Sequence, residues 1–144
     1  MKRAFSLERS IKEQLAGIAG EVMIEVSLDW HLEEQALTAA EQAELLSCIR
    51  EAIINVRKHT RAGRVSVSGQ GNEHGWRVTI ADDGAGIEHD DPFAVNGSYG
   101  LQIMRERSRS MGWRLDIQSG TDGTTVEIAK GGAQNGTLPG TDRR

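Results

Sequence analysis

A single cysteine, Cys48, rules out an internal disulfide, and its place in an apolar helical pattern marks it as a buried, reduced thiol. No apolar run approaches the roughly 20 residues of a membrane-spanning helix. The opening residues, MKRAFSLERS, carry no apolar segment behind their charges, so they do not read as a secretory signal. The chain is read as cytosolic, or as a cytosolic piece of something larger whose contact with a membrane runs only through that parent. Positive charge is in deficit: 17 Lys and Arg against 21 Asp and Glu give a formal net charge of −4. General nucleic-acid binding calls for a clustered basic face, so a polyanion is to be held here only locally, by backbone N–H groups, a metal or a few cations. There is no P-loop pattern G-x-x-x-x-G-K-S/T and no internal repeat.

What is present is the material of one ordinary domain: 144 residues, 38% of them hydrophobic. Leu7, Ile11, Leu15 and Ile18 share a helical face, which Gly20 is expected to end. Val22, Ile24, Val26 and Leu28 alternate as a half-buried strand, and His31 is expected in a surface loop behind it. Thr38-Ala-Ala-Glu41 is a capping box, opening a helix that turns Leu45, Ile49, Ile53 and Val56 inward and runs to about His59. Val65 and Val67 mark one strand, and Trp76, Val78 and Ile80 the next, joined by the hairpin-like Gly71-Asn-Glu-His-Gly75. A polar stretch from Asp82 to Ser98 is too long for a compact domain unless it has a task. A third helix starts near Tyr99 with Leu101, Met104 and Met111 inward. Strands Arg114–Ser119 and Thr124–Ala129 close the fold, and the tail of residues 131–144 is read as disordered.

The predicted order is α-β-α-β-β-α-β-β. Strands that alternate, instead of being apolar throughout, are covered on one face only. The expected fold class is therefore an α+β two-layer sandwich, with a mixed, mostly antiparallel sheet of about five strands and three helices on one face.

Four segments at element edges carry chemistry. In Glu51-Ala-Ile-Ile-Asn55-Val-Arg-Lys58-His59, Glu51 and Asn55 share a helical face. The Asn carbonyl oxygen is a hard ligand suited to Mg²⁺. In Asp82-Asp-Gly84-Ala-Gly86-Ile87, the parity of the preceding strand turns Asp82 toward the helices. A carboxylate aimed inward needs a donor there, and the exocyclic amine of adenine is one; Gly84 and Gly86 would let the backbone pass close to a flat ring. Asn96-Gly97-Ser-Tyr99-Gly100-Leu101 enters a helix, whose first N–H groups suit phosphate. Gly120-Thr-Asp-Gly123-Thr124-Thr125 is a turn whose hydroxyls can reach the same region. Taken alone, each also fits a plain structural role: a solvated helix face, a strand-ending turn, a glycine-turned loop, a hairpin.

Their order and spacing say more. EAIINVRKH, DDGAG and YGLQIMRER, spread over about Leu45 to Lys130, resemble the N, G1 and G2 boxes, with a G3 turn, of the GHKL ATPase superfamily and its Bergerat fold. In detail they look like sensor histidine kinases of the nitrate/nitrite (Nar) type. The resemblance implies that Asp82 accepts a hydrogen bond from the adenine amine and that Gly84 and Gly86 pack against the base, with Ile87 beside them in the nucleotide site. It implies that Asn55 ligates Mg²⁺ and that Lys58 and His59 approach the phosphates or ribose of ATP. Gly97, Tyr99, Gly100 and Leu101 would form the closing end of a short lid (about Glu88 to Ser98) and the phosphate-facing helix start. Thr124 would support adenine through water. Glu51 would stand where related ATPases activate water.

Arg57, Asp83 and Gly112-Trp113 depart from the family pattern. None of His31, His59, His74 and His89 sits in the helical, acid-flanked setting of a phosphoacceptor. The resemblance then implies an excised catalytic domain, residues 21–130, with residues 1–20 the remnant of a linker to a histidine-bearing dimerisation domain and a LuxR-type response regulator as final acceptor. The alternatives are an anti-sigma factor serine kinase of the same fold, a nucleotide-responsive binding module without transfer activity, or a structural α/β domain.

Overall fold

Ser6 starts the first helix by accepting a hydrogen bond from Arg9 N with its hydroxyl at 3.1 Å. The computed structural model describes residues 6–59, 62–84 and 99–131; the C-terminal tail and most of the long polar stretch lie outside these. Helix α1, Leu7–Val22, buries Leu7, Ile11, Leu15 and Ile18 as their spacing predicts. It does not stop at Gly20. An interior glycine costs a helix only about 1 kcal/mol, and the packed face ending in Ile18 offsets that. The helix closes instead at Met23, which takes the left-handed conformation at φ 56°.

Strand β1 therefore spans Glu25–Leu32, later than expected. The alternation itself holds, with Val26, Leu28, Trp30 and Leu32 on the covered side. His31, expected in a loop, belongs to this strand; its exposed ring lies 2.8 Å from Asp29 Oδ1. The strand extends this far because it pairs in parallel with a long neighbour, Leu32 standing opposite Gly71. A short 3-10 turn, Glu34–Ala36, follows. In it, Glu34 accepts from Leu7 N (2.7 Å), Glu8 N (2.8 Å) and Trp30 Nε1 (3.0 Å), and so fastens the start of α1 to the end of β1.

The capping box forms as predicted. Thr38 N donates to Glu41 Oε1 at 2.9 Å, and Glu41 N to Thr38 Oγ1 at 3.1 Å. It opens α2, Ala39–His59, which buries Leu45, Ile49, Ile53 and Val56. Strands β2, Arg64–Asn72, and β3, Gly75–Asp82, form a hairpin across a two-residue turn. Helix α3, Tyr99–Ser110, leads to β4, Arg114–Gly120, and β5, Gly123–Gly131. At the end of α3, Gly112 has φ 78°, and Trp113 N donates to Ser108 O at 2.9 Å. Trp113 is buried and meets Trp76 edge to face, with ring centroids 5.1 Å apart, so the departure from a second glycine is used in packing.

The sheet runs β1-β2-β3-β5-β4. β1 and β2 are parallel because α2 crosses over between them; the other pairings are antiparallel. α1, α2 and α3 share one core with the inward residues of the sheet. This is the expected two-layer α+β sandwich, with three helices over a five-stranded mixed sheet.

Candidate functional site

Four elements converge beside the end of β3. α2 contributes Ala52, Asn55 and Val56; β3 contributes Ile80 and Asp82; β5 contributes Thr124 and Val126; α3 contributes Leu101. They line a cavity of about 20 Å³, roughly the space one water needs. A purine resting on Asp82 would extend well beyond it, so the cavity is the deep end of any nucleotide cleft.

Asp82 is the carboxylate of this otherwise mostly apolar lining. It follows the parity of Trp76, Val78 and Ile80, all buried, and stands opposite Thr124 in the sheet register. Its Oδ1 accepts from Gly84 N at 2.8 Å, and the carboxylate takes a second backbone hydrogen bond from Thr124. Burial pushes its carboxyl above the ordinary aspartate value. The Gly84 and Thr124 hydrogen bonds act against that, and the neighbouring charge of Asp83 adds to it. Thr124 is itself buried, its hydroxyl 3.0 Å from that of Ser119.

Asn55 faces the same cavity from α2. Its Nδ2 is buried and has no hydrogen-bond partner among the described residues. An unsatisfied buried amide costs about 1–3 kcal/mol, and such groups in a native fold call for an explanation. Since the two ends of an amide exchange by a simple flip, this side chain can present either a donor or a hard carbonyl oxygen to an occupant of the cleft. The donor set thus fits a nucleotide and its cation.

Other sequence-predicted residues fall into place less fully. Glu51 lies one helical turn before Asn55, half-buried, and does not line the cavity. α2 runs through Lys58 and His59, and α3 opens at Tyr99 and Gly100. Gly84 is buried and turns its N–H to Asp82. Gly86, Ile87 and Gly97 lie outside the described residues.

Two contributors went unassigned from sequence. Gly123, at φ 137°, lies so close to β3 that a Cβ there would come 2.0 Å from the Asp82 carbonyl oxygen. Asp83, counted only as a departure from the usual Asn, accepts two backbone hydrogen bonds with its side chain. A glycine after a Thr-Asp turn was a visible signal for the first; the second depends on residues about twenty positions away and had none.

The sequence profile of the histidine kinase-, DNA gyrase B- and HSP90-like ATPases matches residues 40–130. The chain belongs to this family. The matched span begins in α2 and ends in β5, so it contains every residue lining the cavity. Among individual relatives of this chain, the nitrate/nitrite sensor protein NarQ of Escherichia coli is 37% identical over 128 residues, 85% of this chain and 22% of NarQ. The signal transduction histidine-protein kinase/phosphatase UhpB of Salmonella typhimurium is 33% identical over 102 residues, 71% of this chain and 20% of UhpB. The chain thus spans about a fifth of the length of these relatives. The histidine kinase domain of the Erythrobacter litoralis blue-light activated histidine kinase has the same fold. It superposes with a TM-score of 0.70 over 93% of this chain and 66% of that one, at 22% identity. Among the described residues no helix is long and apolar enough to cross a membrane.

Proposed function

We propose that this chain is the Mg-ATP-binding catalytic domain of a two-component sensor histidine kinase. The observation that carries the reading is Asp82, a carboxylate in a mostly apolar cavity whose lining residues all lie within the family-matched span. A half-buried carboxylate in such a cleft selects a flat ligand bearing an N–H donor, and the adenine amine supplies one. Asn55 would hold Mg²⁺ through its carbonyl oxygen; Lys58 and His59 would meet the phosphates or ribose. Gly84, Gly86 and Ile87 would lie against the base, with Thr124 behind it. Gly97, Tyr99, Gly100 and Leu101 would close the lid of about Glu88–Ser98 over the phosphates. Glu51 would stand where related ATPases activate water.

The chain then positions ATP, and the γ-phosphoryl group goes to a histidine on a separate dimerisation domain, from which a response regulator of LuxR type takes it. Catalysis of such a transfer is largely positioning and charge neutralisation. The likeness to NarQ and UhpB over most of this chain favours a histidine as acceptor over the serine of an anti-sigma factor kinase. In the same reading residues 1–20 continue a linker whose helix α1 packs into the core of the catalytic unit, residues 21–130, and the domain works in the cytoplasm.

Calorimetric titration of the folded chain with ATP should show binding that weakens when Mg²⁺ is chelated. A folded sample that gives no heat with Mg-ATP would remove the nucleotide reading. Mixed with the dimerisation domain of a close relative and labelled ATP, it should yield acid-labile, base-stable phosphohistidine. Acid-stable phosphoserine on a separate protein would establish the anti-sigma alternative instead.

A further inference from the structure

The peptide at Asp82 is gripped from two sides. On one side lies β5, where Gly123 leaves no room for a side chain against the Asp82 carbonyl. On the other lies the entry to β2. There Asp83 Oδ1 accepts from both Gly63 N and Arg64 N, each at 2.9 Å, and Asp83 N donates to Arg64 O at 3.2 Å. Gly63 is in turn fixed to the start of β1, its carbonyl accepting from Glu25 N at 2.9 Å. One oxygen of an exposed side chain thus joins three strand ends. It also closes the connection that leaves α2, the helix carrying Asn55, onto the strand end carrying Asp82.

We infer that Asp83 is a positioning residue for nucleotide selection: its clamp on Gly63 and Arg64 fixes the end of β3, and with it the direction in which Asp82 presents its carboxylate. The inference rests on the nucleotide reading above. Among the described residues, β3 has no ladder beyond Asp82 on its β2 side other than this side-chain and backbone pairing. Directly after it, Gly84 N supplies the hydrogen bond that orients Asp82 Oδ1. Freed at Asp83, the strand end would swing, the Gly84 N–H would leave Asp82, and the carboxylate would lose its fixed heading. The residue type follows from the geometry. The work is done by one oxygen accepting two N–H groups, which an Asn oxygen does as well, so the family's usual Asn and this Asp are interchangeable as clamps.

The test compares Asp83→Ala with Asp83→Asn in the full chain by calorimetric titration with Mg-ATP and Mg-GTP, whose base lacks the exocyclic amine at the adenine position. Asp83→Ala should weaken ATP binding about tenfold or more and leave GTP binding where it was, while Asp83→Asn should stay within about threefold of wild type, as loss or retention of a backbone-orienting hydrogen bond predicts. Equal weakening for both nucleotides, no weakening in Asp83→Ala, or equal damage from both variants would overturn the inference. Amide exchange of the nucleotide-free proteins gives a readout that does not depend on the functional reading. Faster exchange at Gly63, Arg64 and Gly84 in Asp83→Ala alone is expected, and unchanged exchange at Gly84 would refute the clamp. Wild-type protein that binds no ATP would instead defeat the functional reading, with the clamp still judged by Gly84.

Discussion

A carboxylate placed against apolar walls is held there at a cost, and Asp82 shows where that cost lies. Its folded proton affinity is raised, by burial first. Between its unfolded and folded values the native state binds the proton more tightly, so its contribution to stability is present at low pH and lost as pH rises through the raised value. Asp82→Asn, a neutral isostere that can still accept from Gly84, should therefore melt no lower than wild type at pH 4 and gain on it by pH 7. The same substitution should weaken ATP binding, because a hydrogen bond to a charged group is worth about 1.5–3 kcal/mol, roughly tenfold to a hundredfold in Kd. Wild-type ATP affinity should fall on acidification at a pH above the ordinary aspartate range. Melting curves and titrations at matched pH check both; a variant that loses stability and keeps affinity would contradict them. Strand parity alone was enough to aim Asp82 inward. The backbone hydrogen bonds that tune it come from Gly84 and Thr124, and the second of these depends on a pairing of β3 with β5 that no local pattern displays.

At the level of elements, the start of α2 is where local sequence and tertiary structure reinforce each other. Thr38 and Glu41 satisfy each other's backbone N–H groups, a device readable from four consecutive residues. Glu41 Oε2 also meets Lys130 Nζ at 2.7 Å, tying the first turn of α2 to the end of β5. Burial pushes the Glu41 carboxyl upward, but the Lys130 and Thr38 interactions outweigh it, and the net shift is down. The stabilisation is therefore present above the unfolded value and lost as pH falls through the lowered one. Glu41→Gln keeps the reciprocal cap and removes the charge pair; Glu41→Ala removes both and should cost about 1–2 kcal/mol. Urea titrations at pH 7 and pH 3 should show the deficit of Glu41→Gln at the higher pH and a smaller deficit at the lower. The same scale explains the misplaced β1. Gly20 reads as a stop and Val22 as the first member of an alternating run, whereas the helix obeys the packing of Ile18 and the left-handed closure at Met23. A residue such as Glu34, whose three donors come from two elements, is invisible to any window along the chain.

The whole molecule is larger than its family-matched span. The profile begins at residue 40, yet Leu7, Ile11, Leu15 and Ile18 of α1 belong to the same core as Ile49, Val67 and Val78. The helical spacing of those four residues was plain in the sequence; that they cover β1 and lie against α2 was not, because pairing partners and strand order are set by contacts far apart in the chain. Burying a large aliphatic side chain is worth about 1.5–3 kcal/mol, so the four together rival the 5–15 kcal/mol by which a domain is usually stable. Removing residues 1–22 should therefore abolish cooperative thermal unfolding, since it strips α1 from β1 and α2. Glu34→Ala, which leaves the apolar face intact and unfastens only the helix start, should cost about 1.5–3 kcal/mol and speed amide exchange at Leu7 and Glu8 above all. If the truncated chain still unfolds cooperatively near the wild-type temperature, α1 is an appendage and the folded unit begins at β1. If it does not, any motion passed through α1 from a preceding segment reaches the sheet directly, since the Glu34 carboxylate joins the first turn of α1 to Trp30 in β1.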